Sequence, residues 1–224
     1  MKKNNLWAVI PARNEEKNIF GVVKKTKKHA DKVVLIDDGS TDSTSILGEK
    51  AGATVLRHIV NLGKGAALKT GCDFAVRNGA KSIVVLDSDA QHNPEDIPRF
   101  VEILKKYDIV FSYRKLGPKM PLVLRFGNLF ISKFVKVVYG IDLKDTQCGF
   151  RAFSRDAYKK IRWNASDYSM ESEMIARAGR QRLKYVQIPI QTIYSDKYKG
   201  TTVIDGMKIV LNMLGWKLLN GNKR

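Results

Sequence analysis

Two aspartates separated by one residue have the clearest potential for chemistry in this sequence. Asp87 and Asp89 follow the apolar run Ile83–Leu86. In an extended segment, side chains at i and i+2 point to the same side, so the two carboxylates can approach one divalent cation together. Hard oxygen ligands of this kind suit Mg²⁺ or Mn²⁺, which could neutralise the charge of a departing pyrophosphate. Gln91 could add a carbonyl oxygen, and His92 is a weaker candidate ligand.

Two further carboxylate-bearing loops follow predicted strands. Pro11-Ala12-Arg13-Asn14-Glu15-Glu16 follows the run Trp7–Ile10, and Asp37-Asp38-Gly39-Ser40-Thr41-Asp42 follows Val33–Ile36. Each loop by itself could be a turn that leads into a helix cap, because Asn, Asp, Ser and Thr are favoured there. Carboxylates that are brought together repel one another unless a cation lies among them. We therefore interpret the three loops as parts of one cation-binding site.

A glycine-containing segment, Asn61–Ala67, opens a predicted helix. The free N–H groups at a helix N-terminus bind anions, so Gly63-Lys64-Gly65 could hold a phosphate. The segment matches neither the Walker A loop nor the Gly-x-Gly-x-x-Gly motif of dinucleotide-binding proteins. A tight turn with a capping glycine is the alternative.

Alternating strands and helices must position these loops. Short runs rich in Val, Ile and Leu, without alternating polar residues, predict strands that are buried on both faces. These runs are Trp7–Ile10, Val33–Ile36, Thr54–Leu56, Ile83–Leu86 and Ile109–Phe111. Helices are predicted over residues 15–28 and 94–107, the second with Asn93 as N-cap and Pro94 at its first position. The order predicts an α/β fold with a mostly parallel sheet, whose ligands bind at the carboxyl ends of the strands.

The charge of the chain indicates a polyanionic partner. Among 224 residues, 40 Lys and Arg against 22 Asp and Glu give a net charge of +18. Such an excess suits a nucleic acid, a phosphorylated ligand or an anionic membrane, and a highly charged surface is the simpler alternative. The sequence has no helix-turn-helix or ribonucleoprotein signature and few aromatics among its basic clusters, so no nucleic-acid partner is expected.

Two cysteines, Cys72 and Cys148, are too few for a disulfide framework. Both lie in segments predicted to face the core. Reduced, buried thiols are therefore expected.

Two amphipathic segments raise the question of a membrane. Residues 119–139 carry a single polar stripe on an otherwise apolar helix, formed by Arg125, Asn128, Ser132 and Lys136. Residues 203–219 combine apolar positions with Lys208 and Lys217. Apolar faces with basic flanks favour binding at an anionic lipid surface, and packing onto the rest of the protein is the alternative. Because no apolar run is long enough to span a bilayer, we expect a cytoplasmic protein, peripheral on the cytosolic face of a membrane.

The motifs, in this order and spacing, resemble those of the family 2 glycosyltransferases with the GT-A fold, which is Rossmann-like. The segments that carry the resemblance are residues 11–16, 37–42, 61–65 and 87–91. A further segment, Asp145-Thr146-Gln147-Cys148-Gly149-Phe150-Arg151, resembles the branch that loads sugars onto polyprenyl phosphates, the dolichyl-phosphate mannose and glucose synthases. The resemblance covers residue 6 to about residue 203.

The resemblance implies a role for individual positions. The implied nucleotide-sugar ligands are Pro11, Ala12, Glu15, Asp38, Lys64, Asp87 and Ser88. The implied ligands of Mg²⁺ or Mn²⁺ are Asp87, Asp89 and Gln91. The implied acceptor ligands are Arg114, Arg125, Asn128 and Lys197. The implied catalytic residues are Asp89, Arg114 and Arg125.

The resemblance also implies more specific features at three positions. Asp38 is implied to contact the nucleobase. Glu173 matches an acidic residue on the helix before the last core strand, residues 186–190. Lys197 stands in a loop where the family often has Arg, and lysine keeps the charge but loses the two-pronged grip of a guanidinium on phosphate.

The implied reaction moves a hexose (glucose, N-acetylglucosamine or mannose) from a UDP- or GDP-linked donor to a polyprenyl or dolichyl phosphate. The displacement would be metal-assisted and inverting, and would supply lipid-linked sugar for protein glycosylation or envelope glycans. A phosphate monoester is already ionised at neutral pH. The nucleophile therefore needs no general base, only cationic side chains that hold it in line with the anomeric carbon.

Other functions and the domain boundaries stay open on the sequence. The main alternative is a family 2 enzyme with another acceptor, such as a polysaccharide or a glycolipid. A catalytically silent binding domain and a nucleic-acid-binding protein are more remote. We expect a catalytic domain over residues 1–202 and an amphipathic helix with a basic tail over residues 203–224. A membrane-anchored partner or a homo-oligomer is compatible with the pattern.

Overall fold

The computed structural model describes residues 5–114 and 122–191, with the backbone alone for residues 122–130. Within these residues the strands are β1 Leu6–Ala12, β2 Lys32–Asp38, β3 Thr54–His58, β4 Ser82–Val85, β5 Ile109–Arg114, β6 Arg151–Ser154 and β7 Tyr185–Ile190. The α-helices are α1 Ile19–Thr26, α2 Thr44–Ala51, α3 Lys64–Arg77, α4 Ile97–Leu104, α5 Leu122–Tyr139, α6 Arg155–Ile161 and α7 Met170–Arg180.

The strands form one seven-stranded sheet in the order β3-β2-β1-β4-β6-β5-β7. All neighbouring pairs are parallel except the two that involve β6, which runs antiparallel to β4 and to β5. Each of the five predicted strands is present. β1, β2, β3 and β5 extend beyond the carboxyl ends of their apolar runs, and β4 ends one residue earlier than its run. The predicted mostly parallel α/β sheet is therefore confirmed.

The antiparallel strand β6 brings a loop to the functional edge of the sheet. Its first residue, Arg151, pairs with Val85 at the end of β4 and with Phe111 of β5. Because β6 runs opposite to its neighbours, the segment that precedes it lies at the carboxyl ends of β4 and β5. Residues 145–150 thereby join the edge where ligands of parallel sheets bind.

Helices cover both faces of the sheet. Alternate residues of β1 show the division, because Trp7 and Val9 belong to one apolar core and Ala8 and Ile10 to the other. The first core also includes residues of α3, α5, α6 and α7, and the second includes residues of α1, α2 and α4. A sheet covered in this way has strands buried on both faces, as the continuous apolar runs predict.

Two helix starts differ from the predictions. α1 begins at Ile19 rather than at Glu15. A turn precedes it, in which the Glu15 carbonyl accepts hydrogen bonds from the backbone N–H groups of Asn18 and Ile19. The predicted helix over residues 94–107 begins as a 3₁₀ turn and continues as α4. Its predicted N-cap is confirmed, since the Asn93 side chain accepts a hydrogen bond from Glu95 N at 3.2 Å.

The second half of α5 packs onto the domain. Ile131, Val135 and Tyr139 are buried in the core, whereas Val137 is 78% exposed. Residues 131–139 therefore pack onto the rest of the protein, which was the alternative to binding at a lipid surface. In the part of the chain that the structure describes, no helix is long and apolar enough to cross a membrane. Lys197 and the segment 203–224 lie outside the described residues.

The cysteine prediction is confirmed. Cys72 and Cys148 are free and buried. Burial raises the pKa of the Cys148 thiol to about 11.

Candidate active site

Most of the predicted site residues meet at the carboxyl edge of the sheet. Their backbone positions follow directly from the strand ends: Pro11 and Ala12 close β1, Asp38 closes β2, Arg114 closes β5, Lys64 opens α3, and Asp87, Ser88, Asp89 and Gln91 lie in the loop after β4. Glu15 lies in the loop after β1 and is buried. The topology thus brings together residues from five separate stretches of the chain.

The loops after β1 and β2 are joined by hydrogen bonds. Asn14 N donates to Ser40 Oγ at 2.9 Å, and Glu15 N donates to Thr44 Oγ1 at 2.8 Å. In return, Thr41 N donates to Asn14 Oδ1 at 2.9 Å. Asn14 adopts a left-handed conformation with φ 55°, which asparagine tolerates better than most residues. These hydrogen bonds therefore hold the two loops together next to Glu15.

Asp38 anchors the glycine segment. Its Oδ1 accepts hydrogen bonds from His58 Nδ1 at 2.7 Å and from Leu62 N at 2.9 Å, and its Oδ2 accepts one from Gly63 N at 2.8 Å. His58 in turn contacts Thr70 Oγ1 of α3 at 3.1 Å. Asp38 thus fixes the start of α3, and its expected contact with a nucleobase stays a prediction.

The glycines of this segment allow a close approach of two backbones. A Cβ atom on Gly63, which has φ +95°, would lie 2.4 Å from the Ser166 carbonyl oxygen. A Cβ atom on Gly65 would lie 2.5 Å from the Ala165 carbonyl oxygen. Ala66 N also donates to Ser166 O at 3.1 Å, so this helix-terminal N–H is used within the protein. Close packing is sufficient to explain both glycines, and a phosphate cradle at this segment stays a prediction.

Lys64 links Asp87 to Glu171. Its ammonium lies 2.8 Å from Asp87 Oδ1 and 3.0 Å from Glu171 Oε1. Burial by itself would raise the pKa of Asp87, but the charge of Lys64 and its hydrogen bond to the carboxylate outweigh it and hold that pKa at about 2. Burial opposes the charge of Lys64 as well, yet the two carboxylates raise its pKa overall. Asp87 and Lys64 are therefore both charged at neutral pH.

Asp89 lies in a less favourable environment. Burial and then the charge of Asp87 raise its pKa, and the charge of Glu15 adds to the effect. Its Oδ1 accepts a hydrogen bond from Gln91 N at 3.0 Å. Ala90, between them, has φ 63°, which costs about 1–2 kcal/mol for a residue with a Cβ atom. Strain of this kind concentrates at functional loops.

The donor set around Asp87 and Asp89 fits a divalent cation that is held by few protein ligands. Among the residues the structure describes, no group of three or more His, Cys, Asp and Glu side chains could hold a metal ion. Two mutually repelling carboxylates would bind Mg²⁺ or Mn²⁺ with water and ligand oxygens completing the shell. His92 Nδ1 accepts a hydrogen bond from Asp87 N at 3.2 Å, so this nitrogen is already used. Gln91 as a third ligand stays a prediction.

Arg114 is held at the same edge by Asp145. Arg114 Nε and Nη2 donate to the two Asp145 carboxylate oxygens at 2.7 and 3.2 Å. Asp145 is buried and also accepts a hydrogen bond from Gln147 N at 3.0 Å. The charge of Arg114 also contributes to the lowered pKa of Asp87.

The segment before β6 is organised by a buried arginine. Arg151 is 2% exposed and donates to the carbonyl oxygens of Thr146, Cys148 and Glu171 at 2.6, 2.8 and 3.1 Å. These bonds hold Gly149 against the neighbouring loop. A Cβ atom on Gly149 would lie 2.7 Å from an Asp87 carboxylate oxygen. The segment thus positions Asp87 as well as Arg114.

Some functional candidates were missed from the sequence. Asp145 and Gly149 belong to a motif that carries the resemblance, but no role was inferred for them. Glu171 had no local signal, because a glutamate in the first turn of a helix is ordinary. Glu173, to which the resemblance points, accepts hydrogen bonds from Asn164 N and Ala165 N and pairs with Arg177, so it organises the loop before α7.

The remaining acceptor predictions are not tested. Arg125 and Asn128 lie on α5, where the structure describes the backbone alone. Lys197 lies outside the described residues. Arg114 is therefore the one predicted acceptor ligand whose side-chain contacts the structure describes.

The fold and the site together define a class: a mostly parallel α/β sheet whose carboxyl edge combines paired aspartates with fixed cationic side chains. A family model described as glycosyl transferase family 2 matches residues 7–162, and this chain belongs to that family. The expected family and GT-A fold are confirmed.

Several named relatives cover almost the whole chain. It is 38% identical over 229 residues to an uncharacterised protein of Methanocaldococcus jannaschii, covering 97% of this chain and 94% of the relative. It is 33% identical over 241 residues to the UDP-N-acetylglucosamine–dolichyl-phosphate N-acetylglucosaminyltransferase of Methanococcus voltae. That match covers 95% of this chain and 96% of the relative. It is 26% identical over 228 residues to the undecaprenyl-phosphate mannosyltransferase of Micrococcus luteus. That match covers 94% of this chain and 93% of the relative.

A solved structure shares the fold. Glucosyl-3-phosphoglycerate synthase of Mycobacterium tuberculosis, in complex with Mn²⁺, uridine diphosphate and glucosyl-3-phosphoglycerate, superposes with a TM-score of 0.74. The two chains are 23% identical, and the match covers 94% of this chain and 80% of the other. At this identity the likeness concerns the fold alone.

Proposed function

We propose that this protein transfers a hexose from a nucleotide diphosphate sugar to the phosphate of a polyprenyl or dolichyl phosphate, with Mg²⁺ or Mn²⁺ as cofactor. The observation that carries the proposal is the placement of Asp87, Asp89 and Arg114 at one edge of the sheet, the first two after β4 and the third at the end of β5. The first two can hold a cation with the donor diphosphate, and the third can bind an anionic acceptor. The relatives named for transfer to dolichyl and undecaprenyl phosphate support this acceptor.

The chain's own residues then have distinct tasks. Asp87 and Asp89 would hold the cation, which supplies charge neutralisation to the departing nucleoside diphosphate. The loops after β1 and β2 would bind the nucleoside. Arg114, oriented by Asp145, would hold the acceptor phosphate in line with the anomeric carbon. Because that phosphate is already ionised at neutral pH, no side chain has to remove a proton from it.

A transfer assay with a panel of donors tests the proposal. Purified protein with Mn²⁺, a polyprenyl phosphate and radiolabelled UDP-glucose, UDP-N-acetylglucosamine or GDP-mannose should move label into the organic phase with one preferred donor. The free polyprenol, which lacks the phosphate, should accept none. Label that appears instead on a polysaccharide or a diacylglycerol would support the alternative acceptor class and contradict the proposed one.

We also propose that the protein works at the cytosolic face of a membrane. In this proposal residues 1–202 form the catalytic domain, residues 119–139 face the lipid acceptor, and residues 203–224 form an amphipathic helix with a basic tail. The net charge of +18 and the lipid acceptors named for the relatives support it. The buried side chains of Ile131 and Val135 restrict the lipid-facing part of the first segment.

Co-sedimentation with vesicles tests the membrane proposal. Binding should be stronger to anionic than to neutral vesicles and should weaken as salt rises, because salt screens the electrostatic part. Deletion of residues 203–224 should weaken vesicle binding and spare nucleotide binding. If the intact protein stays in the supernatant at low salt, the peripheral proposal is wrong and a membrane-anchored partner has to supply the contact.

A further inference from the structure

Among the residues that the structure describes, one carboxylate oxygen at the edge of the site has no hydrogen-bond partner. Glu171, in the first turn of α7, is 3% exposed. Its Oε1 lies 3.0 Å from Lys64 Nζ, whereas its Oε2 is buried and has no hydrogen-bond partner among the described residues. A buried acceptor without a donor is costly, so it is a place where a bound molecule can supply the missing bond.

The position of Glu171 narrows the choice of that molecule. Lys64 bridges Glu171 and Asp87, the residue proposed to hold the cation and the donor diphosphate. In a nucleotide sugar, the group attached directly to the diphosphate is the sugar on one side and the nucleoside on the other. In the proposed function the nucleoside binds the loops after β1 and β2. The sugar, at the other end of the diphosphate, would then lie near Glu171.

The chemistry of the carboxylate points the same way. An ionised carboxylate only accepts hydrogen bonds and repels phosphate, so a neutral hydroxyl is a suitable partner. Lys64 offsets the negative charge of Glu171, so that the carboxylate can stay in a buried position. We propose that Glu171 Oε2 accepts a hydrogen bond from a hydroxyl of the transferred sugar, and that Glu171 is a specificity-determining residue. This inference rests on the proposed function for the identity of the donor.

A purely structural role for Glu171 makes a different prediction. If the residue served only to hold Lys64, its loss would weaken the binding of the nucleoside diphosphate and of the nucleotide sugar alike. If it binds the sugar, the loss would affect the nucleotide sugar selectively. The two possibilities are separated by measuring both ligands on the same variant.

Glu171→Gln is the variant of choice because glutamine keeps the shape and removes the charge. Titration calorimetry with Mn²⁺ should show the dissociation constant of the preferred nucleotide sugar raised about 10- to 100-fold, the range for a hydrogen bond to a charged group. The dissociation constant of the free nucleoside diphosphate should change by less than about threefold. Glu171→Asp, which keeps the charge on a shorter side chain, should recover part of the loss.

Glu173→Gln is the matched control on the same helix. Its carboxylate binds backbone N–H groups and Arg177, so its loss should lower the unfolding temperature without separating the two dissociation constants. If Glu171→Gln weakens both ligands equally, or neither, the sugar contact is wrong. If Glu171→Gln does not fold, the same comparison is made with Glu171→Asp.

Deoxy donors identify the hydroxyl. At one ring position, removal of the hydroxyl from the donor should weaken binding to the parent protein. This loss of affinity should equal the loss that Glu171→Gln causes with the intact donor. The variant should lose no further affinity for that deoxy donor. Additive losses at every position would overturn the proposal. These are binding measurements, so a failure of transfer to polyprenyl phosphate would contradict the proposed acceptor without deciding the role of Glu171.

Discussion

Asp145 holds Arg114 by a two-pronged ion pair, with Nε and Nη2 of the guanidinium at 2.7 and 3.2 Å from the two carboxylate oxygens. The pair joins the end of β5 to the segment before β6, which lies at the same edge of the sheet. Side-chain exposure is 22% for Arg114 and 4% for Asp145, so the geometry is shielded from water on the aspartate side. A planar guanidinium held in this way has a fixed orientation toward an anionic ligand.

Asp145→Asn should therefore reduce transfer strongly. The asparagine removes the charge and one acceptor, so Arg114 loses its fixed orientation, and misplacement of such a group can cost on the order of 10²-fold in rate. Steady-state kinetics should show a fall in kcat or a rise in the KM for the acceptor, with the KM for the donor less affected. Asp142→Asn is the control, because Asp142 is exposed and pairs with Lys136. Equal activity of a folded Asp145→Asn variant and the parent would contradict this role.

Asp89→Ala should abolish cation-dependent transfer and leave the fold intact. In chelator the variant should be no less stable than the parent, because burial and the charge of Asp87 already disfavour the ionised Asp89 carboxylate. Added Mn²⁺ should raise the unfolding temperature of the parent and not of the variant, since a ligand that binds the folded state stabilises it. Glu102→Ala, at an exposed position of α4, should respond to Mn²⁺ like the parent. Activity of the parent that survives chelation would show the metal assignment to be wrong.

Gly149→Ala should disturb the Asp87–Lys64 pair. The new Cβ atom would lie 2.7 Å from an Asp87 carboxylate oxygen and 3.1 Å from Lys64 Nζ, so these side chains have to move. Overpacking of this kind costs about 1–3 kcal/mol, and activity should fall with it. Gly21→Ala on α1 is the control, because no atom of the described part of the chain lies within 4 Å of its added Cβ atom. There the alanine should stabilise the helix by about 0.5–1 kcal/mol. Parent-like activity of Gly149→Ala would contradict the packing described.

Asp73→Asn should lower stability in a way that depends on pH. The Asp73 carboxylate accepts hydrogen bonds from Arg162 Nε and Nη2 at 2.9 and 2.7 Å and from Tyr158 Oη at 2.7 Å. Burial alone would raise the pKa of Asp73, but Arg162 and Tyr158 outweigh it, and the pKa is lowered overall. At pH 7 the free energy of unfolding should fall by about 1–2 kcal/mol, since the bonds to a charged group are partly exposed to solvent.

The sign of the pH dependence follows from the lowered pKa. A carboxylate with a lowered folded-state pKa stabilises the protein above its unfolded-state pKa, and the contribution is lost as the pH falls through the folded-state value. The difference between parent and Asp73→Asn in urea denaturation should therefore be full at pH 7 and shrink below about pH 4. Asp156→Asn, at an exposed position, should change stability little at either pH. A difference that stays constant down to pH 3 would be at odds with this assignment.

Local patterns in the sequence predicted the parallel part of the sheet and the loops that follow it. The runs at Trp7–Ile10 and Val33–Ile36 are apolar because strands covered on both faces exclude water from every side chain, and that condition is visible within a few residues. The carboxylates of Asp87 and Asp89 were recognisable for the same reason, since their i, i+2 spacing is local. The Asn93 cap was also local, because it depends on neighbouring backbone N–H groups.

The tertiary structure decided what no local pattern contains. β6 has only four residues and begins with a buried arginine, so its sequence does not have the length or composition of a typical central strand. Its antiparallel pairing, which is set by long-range register with β4 and β5, delivers Asp145 to Arg114 and Gly149 to Asp87. Glu171 reaches Lys64 only because α7 packs against the same side of the sheet as α3. The sequence by itself determined which residue types could bind a cation and a phosphate, whereas packing across the sheet determined which of them meet, because contacts between distant segments depend on the whole topology.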